Sequence, residues 1–385
     1  MSVESTNPPS NPPRRRTGIV KLAISVPEED MSYPVLVGTG LAERLPVEIK
    51  KRHPQATRVA LISDDNVMPL HGERMANALR HEGLEVTAHA IVAGEASKTP
   101  EQLLRLVELF VEAKFTRKDV VVAVGGGVVG DLAGTAAALF MRGIPIIQCP
   151  TSLLAQVDAS VGGKVAVDLP SGKNLLGTFH FPSFVLIDPL ALKTLPDREL
   201  ACGLAEMLKH GLLFSEEHAD AVVAASETVF ARDSEALVNL IATSVALKSN
   251  CVSRDPREQA PGGRGRAALN LGHTVGHALE SVSNYELRHG EAVALGLVAA
   301  ARVSERKGLC GPGLEDHVVA ALRQLRLPVD LDQWLDDERA PKIERALVND
   351  KKREPYRLHY IALVRVGEAC TLTLSPAEII ALLRT

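Results

Sequence analysis

Aromatic residues make up only 3% of the 385-residue chain, with a single tryptophan, so the stacking platforms used by single-stranded nucleic-acid binders are poorly supplied. An excess of one charge is also missing. The 43 Lys and Arg stand against 47 Asp and Glu, for a formal charge of -4, which offers no electrostatic footprint to a nucleic-acid backbone or an anionic membrane. Neither partner is expected, although a local basic pocket is compatible with the balance. Cysteines are few and far apart, at Cys149, Cys202, Cys251, Cys310 and Cys370. That spacing fits neither a CxxC motif nor a disulfide framework and predicts a reducing, cytoplasmic compartment. No uncharged apolar run reaches the ~18 residues needed to cross a bilayer. The N-terminus carries Pro8, Pro9, Pro12 and Pro13 followed by Arg14, Arg15 and Arg16. No signal-peptide core follows the arginines, so residues 1–18 are expected to be a flexible tail.

What is present is a hydrophobic fraction of 46%, enough for two domains of ordinary size with a cleft between them. From Thr17 to about Asp188, short β-branched runs such as "RVALISDD", "VTAHAIV", "DVVVAVGGG" and "IPIIQCP" alternate with helical patterns. Continuous apolar strands separated by helices predict a parallel sheet covered on both faces. From Asp197 the texture becomes helical and rich in Ala and Leu. The expected layout is a Rossmann-like α/β domain over 19–196, followed by a mainly helical domain over 197–385.

Three constellations carry chemistry. The run "VVVAVGGGVVGD" sets Gly125, Gly127 and Gly130 in G-x-G-x-x-G spacing between a strand and a helix, where backbone N–H groups can approach a pyrophosphate. The following strand lacks the acidic residue that would hold a ribose. Asp64 and Asp65 end an earlier strand, which would permit dinucleotide binding with a non-Rossmann strand order. A glycine turn needed only for packing is the competing reading. The stretch "DASVGGKVAVDLPSGKN" (158–174) offers Lys164 and Lys173 as point charges for a phosphate ester but contains no P-loop match; a solvated loop is the alternative. Finally, His273 and His277 fall at i and i+4 on one helix face. Together with His289 and Glu206 they supply the residue types of a zinc site with an open position, against which a simple Glu206–Lys209 surface ion pair competes.

The ordered series "GGGVVGDLAG", "MRG", "PTSLLAQVDASVGGK", "GKNLLGTF", "TLPDREL", "GLAEMLKHG", "LNLGHTVGHALE" and "HGEAVALG" resembles 3-dehydroquinate synthase, a sugar phosphate cyclase, over about residues 30–365. The resemblance implies conversion of 3-deoxy-D-arabino-heptulosonate 7-phosphate to 3-dehydroquinate and phosphate, with NAD and a divalent metal, zinc or cobalt, in a homodimer. Oxidation at C5 acidifies the C6 proton and permits phosphate elimination; the hydride then returns and an aldol closure forms the ring. By position the resemblance makes Glu206, His273 and His289 metal ligands, with His277 facing the substrate. It assigns Asp64, Glu95, Lys98, Gly126, Gly127, Val128, Val129, Gly130, Asp131, Thr151, Ser152, Lys173, Leu192, Lys193 and Thr194 to the cofactor, and sets Lys164 beside it. Lys164, Asn174, Arg266 and Lys351 or Lys352 surround the phosphate, and Arg142 reaches across a dimer interface. Asp158, Lys209, Lys248 and Asn270 contact hydroxyls and the carboxylate.

Three departures from the family pattern stand out: Phe181 in place of glutamine, His210 in place of tyrosine, and about four extra residues before Arg266. An amino-dehydroquinate synthase or an NAD- and metal-dependent polyol dehydrogenase are the alternatives. The phosphate-binding cations argue against the dehydrogenase.

Overall fold

Val59 to Ile62 and Val120 to Val124 are buried without interruption, as strands covered on both faces must be. A computed structural model, describing residues 30–261, 265–349 and 357–384, places them at the centre of a six-stranded sheet. Its strands are β1 (Val35–Val37), β2 (Arg58–Asp64), β3 (Glu85–Ile91), β4 (Val120–Gly125), β5 (Ile146–Pro150) and β8 (Phe184–Ile187). The order β1-β8-β5-β4-β2-β3 is parallel at every pairing. With the edge strand β1 set aside and counting from β2, this is the flavodoxin-like order 2-1-3-4-5, not the Rossmann order. The direction of winding reverses between β2 and β4, so the crevice that binds ligands in such sheets opens at Asp64 and Gly125, where those strands end.

Helices cover the two faces. On one, α1 (Leu45–Arg52) and α2 (Glu73–His81) bury Leu45, Ile49, Met75 and Leu79 against Val59, Leu61 and Val122. On the other, α3 (Pro100–Glu112) and α4 (Gly127–Leu139) bury Leu106, Phe110 and Leu132 against Ala60, Ile62 and Val121. Helix α3 begins where it does because Thr99 accepts a bond from the Gln102 N–H at 3.3 Å and Pro100 occupies the first turn.

The stretch 158–174, for which a solvated loop is the alternative sequence reading, leads into an antiparallel ribbon of β6 (Lys164–Leu169) and β7 (Gly172–Phe179). The loop expectation fails there because the polar residues line an exposed strand. After Pro196 come α5 (Asp197–Phe214), α6 (Glu216–Ala224), α7 (Ser226–Phe230), α8 (Ser234–Arg254), α9 (His273–Val282), α10 (His289–Arg306), α11 (Leu314–Gln324) and α12 (Ala340–Asn349). The hairpin β9 (Leu358–Arg365) and β10 (Glu368–Leu374) and the helix α13 (Pro376–Arg384) close the described chain. The helical reading of this half missed the hairpin.

Helix α8 is long and apolar enough to cross a membrane by length and composition, but Leu237, Ile241, Val245 and Val252 bury it in the core of the helical half. That core also takes in Val185 and Ile187 of β8. From Tyr33 onward the described chain is one compact unit. Residues 1–18, Lys351 and Lys352 lie outside the described residues, as does part of the Gly/Arg-rich stretch 260–266.

Helices α9 and α10 touch through bare backbone. A Cβ on Gly296 would lie 1.8 Å from the Gly272 carbonyl oxygen, and one on Gly290 would lie 2.3 Å from Cys202 Cα. Only glycine permits this approach, which sets the start of α9 against α10 and the start of α10 against α5.

Candidate active site

Glu206, His273 and His289 meet at that junction. Glu206 is fully buried, and its Oε1 lies 3.6 Å from His273 Nε2 and 3.4 Å from His289 Nε2. Among the described residues this oxygen accepts no hydrogen bond, an orphan that is costly unless a cation satisfies it. The three ligand atoms lie within 4.8 Å of one another. One carboxylate and two imidazoles converging in this way fit a divalent ion with positions left open.

The Lys209 ammonium pairs with Glu206, and both side chains are buried, so the pair is not a helix-surface ion pair. Burial alone would raise the Glu206 carboxyl, but Lys209 overrides it and holds the group well below the usual range. Burial, with Lys209 beside it, pushes the His273 imidazole down to about 3 and so keeps it neutral. Burial would also lower His289, yet the carboxylates of Glu206 and Glu280 on either side of the ring raise it to about 10; an incoming metal must displace that proton.

A second cluster adjoins the first. Lys248 Nζ lies 2.5 Å from Asp158 Oδ1, and His210 presents Nε2 to the same oxygen at 3.7 Å while its Nδ1 bonds Ser244 Oγ at 2.7 Å. Asp158, Glu206 and His210 also converge as cation ligands would, but the ammonium groups of Lys209 and Lys248 already supply the positive charge there. Arg266 is buried, bonding the carbonyls of Gly162 at 2.7 Å and Pro256 at 2.8 Å. Burial lowers its guanidinium, the condition of a cation short of anionic partners. Lys164 is paired with Glu258, whose other oxygen faces Asn270 Nδ2 at 3.5 Å. Phe181 packs so tightly on Gly163 that a Cβ there would meet its ring at 2.7 Å, and Tyr33 accepts the Gly162 N–H at 2.8 Å. The two aromatic rings thus hold the glycine pair that precedes Lys164.

The strand-end crevice forms the third part. Gly125 and Gly130 are dictated by packing, since a Cβ would meet Val129 at 2.6 Å and Gln148 at 2.8 Å. Gly126 and Gly127 are not, for their nearest neighbours would lie at 3.6 and 3.4 Å. Their bare backbone opens the first turn of α4, which has no side-chain cap, so that turn presents unpaired N–H groups as an anion site does. Asp64 accepts from the N–H groups of Asn66 and Val67. Across the crevice Lys98 lies 2.6 Å from Asp131 and 3.8 Å from Glu95, and it donates to Asn174. Asn174 is thereby tied to Lys98 and, through its own N–H, to Asp168. Lys173 reaches toward both Glu95 and Glu280, 3.9 Å from each.

Thr151 donates its N–H to the Gly125 carbonyl at 2.9 Å, and the Ser152 hydroxyl accepts the Ala155 N–H at 3.2 Å. Thr194 bonds His71. Lys193 is exposed, whereas the Leu192 side chain is core, leaving only its backbone to face a ligand. His277 stacks edge-on to His273 at 5.3 Å. Val128 and Val129 follow the turn, Val129 packed inward. Arg142 stands apart, exposed after α4 at φ 68. Sequence reasoning missed Glu258 and Glu280, whose importance comes only from what the fold sets beside them.

A strand-end crevice at Asp64 and Gly125 and a buried group of two histidines and one carboxylate belong to one compact α/β unit. Residues 88–202 match the family described as 3-dehydroquinate synthase N-terminal, and residues 203–353 the one described as 3-dehydroquinate synthase C-terminal. A 3-dehydroquinate synthase of Symbiobacterium thermophilum is 45% identical over 338 residues, 87% of this chain and 92% of the relative. The chain belongs to the 3-dehydroquinate synthase family. Among solved structures, 2-epi-5-epi-valiolone synthase of Streptomyces hygroscopicus, with NAD+ and Zn2+ bound, superposes with a TM-score of 0.83 at 28% identity, covering 94% of this chain and 98% of that one. A 2-deoxy-scyllo-inosose synthase with carbaglucose-6-phosphate, NAD+ and Co2+ gives 0.79 at 26% identity, covering 91% and 96%.

Proposed function

We propose that this chain is a 3-dehydroquinate synthase, turning 3-deoxy-D-arabino-heptulosonate 7-phosphate into 3-dehydroquinate and phosphate in the cytoplasm, as a homodimer. We divide it functionally at residue 196 into a nucleotide-binding part and a metal- and substrate-binding part. The observation that carries the reading is the buried Glu206–His273–His289 centre lying against a group of cations, Lys209, Lys248 and Arg266. A neutral polyol needs no such cations; a substrate carrying a phosphate and a carboxylate does. When bound, NAD supplies a reversible hydride sink and a divalent ion polarises the hydroxyl to be oxidised.

The chain's own residues do the rest. Asp64 and the N-terminal turn of α4 hold the nucleotide, with Glu95, Lys98, Asp131, Thr151, Ser152, Lys173 and the backbone of 192–194 lining its path. Lys164, Arg266 and a lysine of 351–352 hold the phosphate, with Asn174 at the border of the two sites. Asp158, Lys209, Lys248 and Asn270 orient the hydroxyls and carboxylate by charge-assisted bonds. His277 relays a proton between substrate and solvent. Arg142, exposed on its positive-φ turn, serves the site of a second subunit in this reading. Burial of Lys209 and Lys248 excludes water from the reacting face and strengthens each of these contacts.

The test is turnover with the heptulosonate phosphate in large excess over NAD, following phosphate and NADH absorbance together. Many phosphates per NAD with no lasting NADH are expected, because the hydride must return to the same carbon. One NADH per product would mean a dehydrogenase and end this reading.

A further inference from the structure

Glu280, on α9, is buried to 3% exposure, an expensive place for a carboxylate without partners. It has two. Its Oε1 lies 3.2 Å from His289 Nδ1 and 3.9 Å from the ammonium of Lys173, which in turn stands 4.4 Å over the Tyr285 ring.

A neutral imidazole donates from one nitrogen and keeps its lone pair on the other. With Nδ1–H given to Glu280, the lone pair of His289 is on Nε2, the nitrogen that faces Glu206 at 3.4 Å. His273 repeats the arrangement with a backbone partner: its Nδ1 lies 3.1 Å from the Leu271 carbonyl and its Nε2 faces Glu206. One ligand ring is thus aimed by the chain itself and the other by a single carboxylate.

The same histidine belongs to a second convergent group, His277, Glu280 and His289, in which Glu280 would itself be a ligand. Two observations favour the first group. Lys173 draws on the Glu280 charge, and the wholly buried Oε1 of Glu206 is left without a hydrogen bond if the ion sits elsewhere.

We propose that Glu280 is a positioning residue of the metal centre: it fixes the tautomer and orientation of His289 and, with Lys173 as counter-charge, directs the ion to Glu206. This rests on the metal centre proposed above. Carboxylates placed behind a histidine ligand raise its basicity and restrict its ring, and their loss costs about 10- to 100-fold in metal affinity.

The experiment strips the full-length protein of metal and measures Zn2+ and Co2+ affinity by competition with a chromophoric chelator. Co2+ visible spectra are recorded for the wild type, E280Q, E280A and E206A, with circular dichroism of each metal-free form as the folding control. E280Q and E280A are expected to bind a single ion with a Kd raised about 10- to 100-fold, more for alanine. The Co2+ bands of E280Q stay in place because its ligands are unchanged, and E206A loses the ion. A Kd within about threefold of wild type in both Glu280 variants overturns the proposal. So does loss of the ion in E280A with retention in E206A, which would make Glu280 a ligand. Should E280A not fold, E280Q decides alone. A wild-type protein that takes up neither ion refutes the metal centre itself, a different failure from normal binding in the variants.

Discussion

Lys209 ends on a carboxylate that no solvent reaches, so each member of the pair is stable in the interior only because of the other. Lys209→Met keeps the volume and removes the charge, leaving Glu206 buried and uncompensated, and such losses typically destabilise by ~3–5 kcal/mol. Urea unfolding of the metal-free variant should show that loss. Added zinc should recover more stability in the variant than in the wild type, because the ion replaces the missing cation. Unchanged stability without metal would show that Lys209 is not the counter-charge. At this scale the sequence was informative where a residue's chemistry is rare in its surroundings. Glu206 in an apolar helix and the paired histidines of α9 are such cases, and the structure sets Glu206, His273 and His289 side by side. It was silent where common residues gain meaning by placement. Glu280 is one more glutamate on a helix until α10 lays His289 against it, and Glu258 matters only because its loop returns to Lys164.

Elements announced themselves in proportion to how fully they are buried. β2, β4 and β5 are covered on both faces and read as unbroken apolar runs, whereas β7, exposed along most of its length, hides its strand character behind Lys173, Asn174 and two glycines. β9 escaped although Tyr360, Ile361, Ala362 and Leu363 are buried in succession, because a short apolar run in a helix-rich half reads equally well as a buried helix segment. The junction of α9 and α10 is the element on which the site depends. Gly296→Ala would drive a methyl into the Gly272 carbonyl and force α10 away from α9. Such overpacking costs ~1–3 kcal/mol, and it should weaken metal binding together with stability, since His273 begins one helix and His289 the other. Gly311→Ala, with nothing within 4 Å of the added carbon, is the control. Metal affinity unchanged in the Gly296 variant would show that the centre tolerates movement of α10.

For the whole molecule, acid sensitivity has an identifiable source outside the active site. His218 is 3% exposed, its Nε2 has no hydrogen-bond partner among the described residues, and burial lowers it from 6.5 to about 4. The unfolded chain therefore takes up that proton first as the pH falls. The stability contributed by the neutral ring is complete above pH 6.5 and is lost progressively down to about 4, amounting to at most ~3 kcal/mol. Denaturation curves across that window should flatten by about one proton in His218→Phe; an unaltered slope would place the titration elsewhere. The general architecture, a nucleotide-type sheet followed by helices, was legible because periodicity reports layers. Strand order was not, because it depends on which side each crossover takes. That order has a consequence for how the protein is made. Val35 pairs with Val185, so among the described strands β1 has its only sheet neighbour in β8, the last strand of that sheet. At synthesis rates of ~5–20 residues per second, β1 waits on the order of ten seconds with its edge bare. The nascent sheet can assemble from β2 outward in the meantime, and β1 can pair with β8 only after β8 has docked, which makes β1 a late arrival in co-translational folding.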